Sequence, residues 1–186
     1  MNPSGSQKRF ETAVKAVEKK ITGERRMENP HTVKKGDYIL IDYTGKFEDG
    51  TVFDTTIKEK ALEAGIYNEE KEYRPFFFRT DTQQVIKGID EGVLGMLERE
   101  EKTVKIAPAK AYGEHKDYLV QKIPLLRLEL KEPPEPGKTI ITPGGKIVKV
   151  LDSTETYATL DFNHELAGKI LILEIKLVSI VNRPEI

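Results

Sequence analysis

The stretch from Lys169 to Ile180, KILILEIKLVSI, puts Leu171, Leu173, Ile175 and Leu177 on one face of an extended chain. A strand that apolar needs a large core. An earlier run, YILIDY, alternates Ile39, Ile41 and Tyr43 with Tyr38, Leu40 and Asp42, which predicts a strand covered on much of both sides. Between the two, KEPPEPGK at Lys131 to Lys138 concentrates proline, which forbids regular pairing, and PGG at Pro143 to Gly145 marks a hairpin turn. Around these breaks IPLLRLEL, KIVKVLD and YATLDF alternate as strands of a second, small β unit. That unit is therefore predicted to be inserted into a main domain that resumes for its last strand. The expected division is 1–30 as a leading segment, 31–117 with 168–186 as the main domain, and 118–167 as the insert.

The 186 residues can bury one full core, or one core and a small satellite. A hydrophobic content of 38% beside 33% charged residues is ordinary for a globular protein, and a net charge of −1 gives no reason to expect nucleic acid. Cysteine is absent, which removes disulfides, thiolate nucleophiles and Cys-ligated metals and fits a reducing compartment. Apolar runs such as ILIL are too short to span a bilayer, and the polar N-terminus lacks a signal-peptide core. The expectation is a cytoplasmic monomer away from membranes. His31, His115 and His164 are widely spaced with no i, i+4 pair, and no phosphate-binding glycine pattern occurs, so neither a metal nor a cofactor is expected.

Ahead of the strands, Phe10, Ala13, Val14, Val17 and Ile21 recur at helical spacing between Ser6 as an N-cap and Gly23 as a stop. This predicts a mildly basic amphipathic helix, ended by Asn29 and Pro30. From Val33 the chain is mostly strands. Glu48, Asp49 and Gly50 supply turn chemistry and return it into TVFD as a hairpin. Lys60 to Ala64 is expected to be helical, as is Val85 to Met96 with Val85, Ile86, Ile89, Val93 and Met96 on its buried face. KTVKIAP then alternates as a strand closed at Pro108.

Four apolar and aromatic signatures punctuate this zone: IDYTGKFEDGTVFDTT, YRPFFF, QQVIKGIDEG and IAPAKAYGE. Few groups able to do proton or nucleophile chemistry accompany them, which points to a site that works by enclosing an apolar ligand. Taken singly, each has a plainer use. Phe76, Phe77 and Phe78 suit a core, Tyr43 and Tyr112 suit half-buried positions with one satisfied hydroxyl, and Asp54 suits a turn. Their joint order resembles the FKBP-type peptidyl-prolyl isomerases. LVQKIP and DFNHELAGK extend the resemblance to the SlyD-like and long archaeal branch, in which an insert-in-flap domain interrupts the barrel.

The resemblance implies an α+β fold, an antiparallel half-barrel wrapped on a short helix, with a small inserted β domain acting as a chaperone. It also implies a pocket lined by Tyr43, Phe53 and Asp54, continued by Phe76 and Phe78, with Val85 and Ile86 as an apolar edge and Ile86 as a main-chain donor. Ile89 takes the floor position, Tyr112 a rim hydroxyl, and Leu173 a place often held by phenylalanine. Within this set, Tyr43, Asp54 and Tyr112 are the catalytic candidates, Asp54 and Tyr112 orienting substrate carbonyls. The aliphatic floor weighs against tight binding of the family's macrolide ligands more than against isomerisation. RTDTQQ lacks the glycines usual in its turn, so strain is expected at Asp81 or Thr82.

Two functions follow from that likeness. One is an isomerase acting on X-Pro bonds of unfolded or partly folded polypeptides and proline-containing peptides, the insert capturing apolar segments. The other is a holdase whose prolyl pocket is idle, with the edge of IPLLRLEL open to strand addition. His164 is read as a hinge residue.

Overall fold

The computed structural model describes residues 31–181 together with Lys15. The helix expected between Pro3 and Met27 lies outside the described residues, as does the end of the chain beyond Val181. Contacts divide the protein into two compact units: residues up to Ala111 with those from Ile170 onward, and Tyr112–Lys169.

In the first unit β1 (Tyr38–Lys46), β2 (Val52–Thr55), β3 (Phe76–Arg79), β4 (Glu101–Ile106) and β9 (Leu171–Val181) form one antiparallel sheet of order β2-β1-β9-β4, with β3 also paired to β1. The apolarity of β9 has its cause here, because it runs between β1 and β4. Leu171, Leu173, Ile175 and Leu177 are buried with Ile39, Ile41, Phe78 and Ile106 in the main core. The register then slips, with Ile41 opposite Leu177 and Leu40 opposite Ser179. That bulge shifts the alternation by one residue and returns Ile180 to the main core. Leu40, Val181, Tyr38, Phe77 and Val178 pack together on the other face, so YILIDY is covered on both sides.

The EDG turn forms as expected, with Gly50 at φ +86° donating to the Phe47 carbonyl. Helix α1 (Lys58–Glu63) follows and ends before Gly65 at φ +69°. Helix α2 spans only Lys87–Val93, shorter than the periodicity implied. Val85 and Ile86 precede it, Ile86 being extended at ψ 146°, and Gly95 at φ +80° turns the chain out. Met96 is buried all the same, by pairing: Val33 N donates to Met96 O, and Gly95 N to Val33 O. Within α2, Gly88 and Gly92 face β4. A Cβ at Gly88 would overlap Ile106 Cγ2 and stand 2.8 Å from Ile106 Cγ1 and Cδ1, and one at Gly92 would stand 2.9 Å from Val104 Cγ2. These two glycines let the helix lie directly on the strand.

The second unit is a four-stranded antiparallel sheet, order β5-β8-β7-β6, built from β5 (Val120–Pro124), β6 (Thr139–Ile141), β7 (Ile147–Ser153) and β8 (Tyr157–Asp161). Leu125, Leu128, Val148, Val150, Ala158 and Leu160 are its core. IPLLRLEL is not a strand beyond Pro124. Leu125–Leu128 is a 3-10 turn ended by Glu129 at φ 56°. Residues three apart eclipse in such a turn, so Leu125 and Leu128 are both buried while Leu126 is 89% exposed. At the base, Gly168 N donates to Gly113 O at 2.8 Å, and Asn163 exchanges hydrogen bonds with both main-chain groups of Lys116. His115 Nε2 lies 3.1 Å from Asp161 Oδ2. No helix among the described residues is long and apolar enough to cross a membrane.

Candidate functional site

The site begins where β1 meets β2. Tyr43 Oη donates to Asp54 Oδ2 at 2.6 Å, and Lys71 Nζ donates to the other carboxylate oxygen. The two threonines after Asp54 hold the backbone that positions this pair. Thr56 N donates to Tyr43 O at 3.0 Å, Tyr43 N donates to Thr56 Oγ1 at 3.0 Å, and Thr55 Oγ1 donates to Tyr43 O at 2.8 Å. Thr44 and Thr55 hydroxyls meet at 3.0 Å in the buried layer beneath. The DTT triplet is thus a clamp for Tyr43 rather than a free turn.

Phe53, one residue before Asp54, brings the tip of its ring against Gly45. A Cβ at Gly45 would stand 2.6 Å from Phe53 Cζ, so glycine is what lets the ring settle, and Phe47 packs beside it at 4.9 Å between centroids. Tyr43, Phe53, Val85, Ile86 and Ile89 are all half-buried and all pack against the main core. Phe76 and Phe78 lie on one face of β3 with centroids 5.7 Å apart, while Phe77 points the other way onto Tyr38. Phe76 is 41% exposed and Phe78 is fully buried, so the strand offers one open ring backed by a closed one. Leu173 stands opposite Gly45 on one side and Val104 on the other, and at 3% exposure it supports the group from within the sheet.

Among the described residues no acceptor meets the Ile86 main-chain N–H, although the Ile86 carbonyl takes bonds from Ile89 N and Asp90 N. Asp54 accepts from two neighbours, Tyr43 and Lys71, and so anchors both. Tyr112 belongs to the second unit, where its ring stacks on His164 at 4.1 Å. His164 Nδ1 accepts the Leu166 N–H, so this histidine closes a local turn.

Lys71 went unnoticed in the sequence because no spacing rule ties it to Asp54. Its loop is nonetheless ordered by small contacts: Tyr67 stacks on Tyr73 at 5.5 Å, Tyr73 Oη accepts Asn68 N, and Lys58 and Lys71 sit over the two rings. The strain expected in RTDTQQ falls at Asp81, φ 59°, and also at Gln83, φ 57°, with Thr82 spared. Among the described residues, no three His, Asp or Glu side chains gather as a metal site.

The candidate site thus consists of a tyrosine anchored by Asp54, half-buried apolar side chains packed on the main core, and the Ile86 main-chain N–H. The family model for FKBP-type peptidyl-prolyl cis-trans isomerases matches residues 29–177, and the chain belongs to that family of enzymes. It is 46% identical over 147 residues to the short-type peptidyl-prolyl cis-trans isomerase of Methanocaldococcus jannaschii, a match covering 77% of this chain and 91% of that one. The human peptidyl-prolyl cis-trans isomerase FKBP2 is 40% identical over 85 residues, 46% of this chain and 51% of the human protein.

Proposed function

We propose that Tyr43, Phe53, Val85, Ile86 and Ile89 enclose the pyrrolidine ring of an X-Pro bond, with Phe76 as the open wall and Phe78 and Leu173 as its backing. The observation carrying this reading is the Tyr43–Asp54 hydrogen bond, set among apolar side chains that share one core. Amide rotation faces a barrier of about 18–20 kcal/mol, because resonance gives the C–N bond partial double-bond character and separates charge. The twisted state has lost that resonance and is less polar. A dry apolar cradle therefore favours it over the planar ground state, and no proton transfer is needed. The Ile86 N–H holds a substrate carbonyl, which fixes one side of the bond while the other turns. Asp54 keeps the Tyr43 ring at a fixed angle and holds Lys71 away from the ring site.

Replacing Asp54 by Ala frees both partners and is expected to lower kcat/KM on a proline tetrapeptide by about tenfold, the loss of one charge-assisted hydrogen bond's worth of orientation. A protease-free assay showing wild-type turnover would remove Asp54 from the site. For Tyr112 the family resemblance alone carries the role of a rim hydroxyl. Tyr112→Phe keeps the stack on His164 and tests it by turnover on the same peptide.

The second unit serves as a client-capturing module in this reading. Its sheet leaves Ile141 and Ile147, a cross-strand pair, 71% and 73% exposed, with Leu151 and Tyr157 also at the surface. Exposed aliphatic pairs on a β surface suit transient contact with apolar segments of unfolded chains. The double replacement Ile141→Ser with Ile147→Ser removes no core side chain. It should weaken suppression of aggregation of an unfolded protein while sparing turnover of short peptides; unchanged suppression would leave the module without that role. The missing cysteines fit a cytoplasmic setting, and the aliphatic Ile89 floor fits weak rather than tight macrolide binding.

A further inference from the structure

Immediately beside the proposed prolyl cradle lies a cavity of about 600 Å³, within the range of small-ligand and side-chain sites, lined by Lys35, Asp81, Gln83, Val85, Lys87, Asp90, Glu91 and Leu94. Its floor is apolar. Val85 and Leu94 are half-buried against the main core, and Val85 also belongs to the cradle. Its rim is charged, and nearly all of that charge is already matched. Lys35 pairs with Asp81 at 3.4 Å, Lys87 with Glu91 at 3.7 Å, and Glu91 also accepts from Lys110 Nζ at 2.6 Å. That hydrogen bond from Lys110 holds Glu91 below the ordinary carboxylate range. Asp90 differs. It accepts one hydrogen bond, from Asp81 N to Oδ1 at 3.1 Å, and among the described residues no cation pairs with it.

We infer that this cavity is a specificity subsite for a lysine or arginine side chain of the bound polypeptide, lying within a few residues of the proline. The aliphatic stem would rest on Val85 and Leu94 and the cationic head would meet Asp90. The inference rests on the cradle reading for its position but not for its chemistry. Long cationic side chains bury their methylenes on apolar surface while keeping the charge at a polar rim, which is the profile this cavity offers. An acidic side chain finds every lysine of the rim engaged and meets an unpaired carboxylate. A neutral aliphatic side chain gains the floor and leaves Asp90 unanswered.

The test is calorimetric titration of the full chain with three proline-containing hexapeptides that differ at one position near the proline, carrying lysine, norleucine or glutamate, with the position scanned on both sides. Binding is read directly, so the result does not depend on turnover. At low salt the lysine peptide is expected to bind about fivefold tighter than the norleucine peptide at one position, the size of one partly exposed ion pair. The glutamate peptide should bind most weakly there. In Asp90→Asn, which keeps the Oδ1 acceptor for Asp81 N, the lysine-to-norleucine ratio should fall to about one, as it should for the wild type at high salt. A ratio of one in the wild type at every position overturns the subsite, and so does a preference for lysine that survives in Asp90→Asn. Turnover of the same peptides is followed in parallel. Absent turnover with the lysine preference intact would sink the isomerase cradle and leave the subsite standing, and the converse result would do the opposite.

Discussion

Asp54 accepts from Tyr43 on one oxygen and from Lys71 on the other, and the two contacts differ in what they hold. Tyr43 sits on β1 and is fixed by hydrogen bonds to both its main chain and its ring; Lys71 comes from an irregular loop and lies over the Tyr73 ring of the tyrosine stack. Tyr43→Phe removes one bond and retains the packed ring, so it should lower kcat/KM by several-fold with a small loss of stability, about 1 kcal/mol, for the unanswered carboxylate oxygen. Equal turnover in the tyrosine and phenylalanine forms would show that ring angle is set by packing alone. At this scale the sequence was informative wherever chemistry is local. IDYTG and TVFDTT carried Tyr43, Phe53 and Asp54, and a turn without glycine betrayed the positive φ at Asp81. Lys71 stayed hidden because its partner is set by how a loop folds over, which no pattern of types records. The free Ile86 N–H is a property of helix α2 starting one residue later, and only the family likeness hinted at it.

Elements were legible where one period dominated and misread where two fitted. The alternation in β1 and β9 admits only a strand, and both formed with the expected faces inward. IPLLRLEL alternates too, yet its leucines at 125 and 128 also satisfy a 3-10 turn, and Pro124 ends the ladder before the run begins. Helix α2 was overestimated because Val85, Ile86 and Met96 are apolar for reasons of the sheet and the site. The glycines of KGIDEGV explain its placement. Gly88→Ala would gain helix propensity of about 1 kcal/mol, but its methyl would press on Ile106, a fully buried side chain. Overpacking of that kind costs about 1–3 kcal/mol, so a net loss is expected in urea unfolding. Gly92→Ala should be milder, because Val104 is only half-buried and can yield; the reverse ranking would mean that α2 is not pressed onto β4 at its first turn. A second link between elements is ionic. Glu174 on β9 accepts from Lys46 on β1 at 2.5 Å and from Lys60 on α1 at 3.3 Å. The Lys46 hydrogen bond, aided by Lys60 and opposed by partial burial, lowers the Glu174 pKa below its ordinary value. A depressed folded pKa adds stability above the unfolded value that disappears as pH falls through the folded one. These groups are partly exposed, so the contribution is small, about 0.5 kcal/mol. Glu174→Gln should narrow the difference in stability between pH 7 and pH 3, and an unchanged acid limb would remove the ion pairs from the account.

At the scale of the molecule, among the described residues, the main core and the core of the second unit share no member. Every residue of the main core comes from outside Tyr112–Lys169, and every residue of the second core comes from inside it. In the sequence, a strand as apolar as β9 pointed to a main domain that resumes after a small inserted unit. What the sequence left out was the stitching at the base. Gly113 and Gly168 are joined by a main-chain hydrogen bond, Asn163 clasps Lys116, and Asp161 meets His115. Burial tends to raise the Asp161 pKa, but the Asn163 main-chain and side-chain donors and His115 outweigh it and leave it below the ordinary value. The chain therefore enters and leaves the second unit at nearly one point, and a deletion there has a defined geometry. Removing residues 114–167 and joining Gly113 to Gly168 through a short glycine linker replaces a long closed loop by a tight one. Closure entropy grows with the logarithm of loop length, so the shorter loop lowers the closure cost to the first unit by about 1–2 kcal/mol, and the main core keeps all its members. The shortened protein is expected to unfold in one cooperative transition and to turn over proline tetrapeptides at close to the full-length rate. On the proposal that the second unit captures clients, its acceleration of a proline-limited refolding reaction should fall by about tenfold or more, since tethered capture raises the effective concentration of substrate. Refolding catalysed equally well by both forms would confine the second unit to a role apart from catalysis, and loss of tetrapeptide turnover with the transition intact would place part of the prolyl site in the deleted residues.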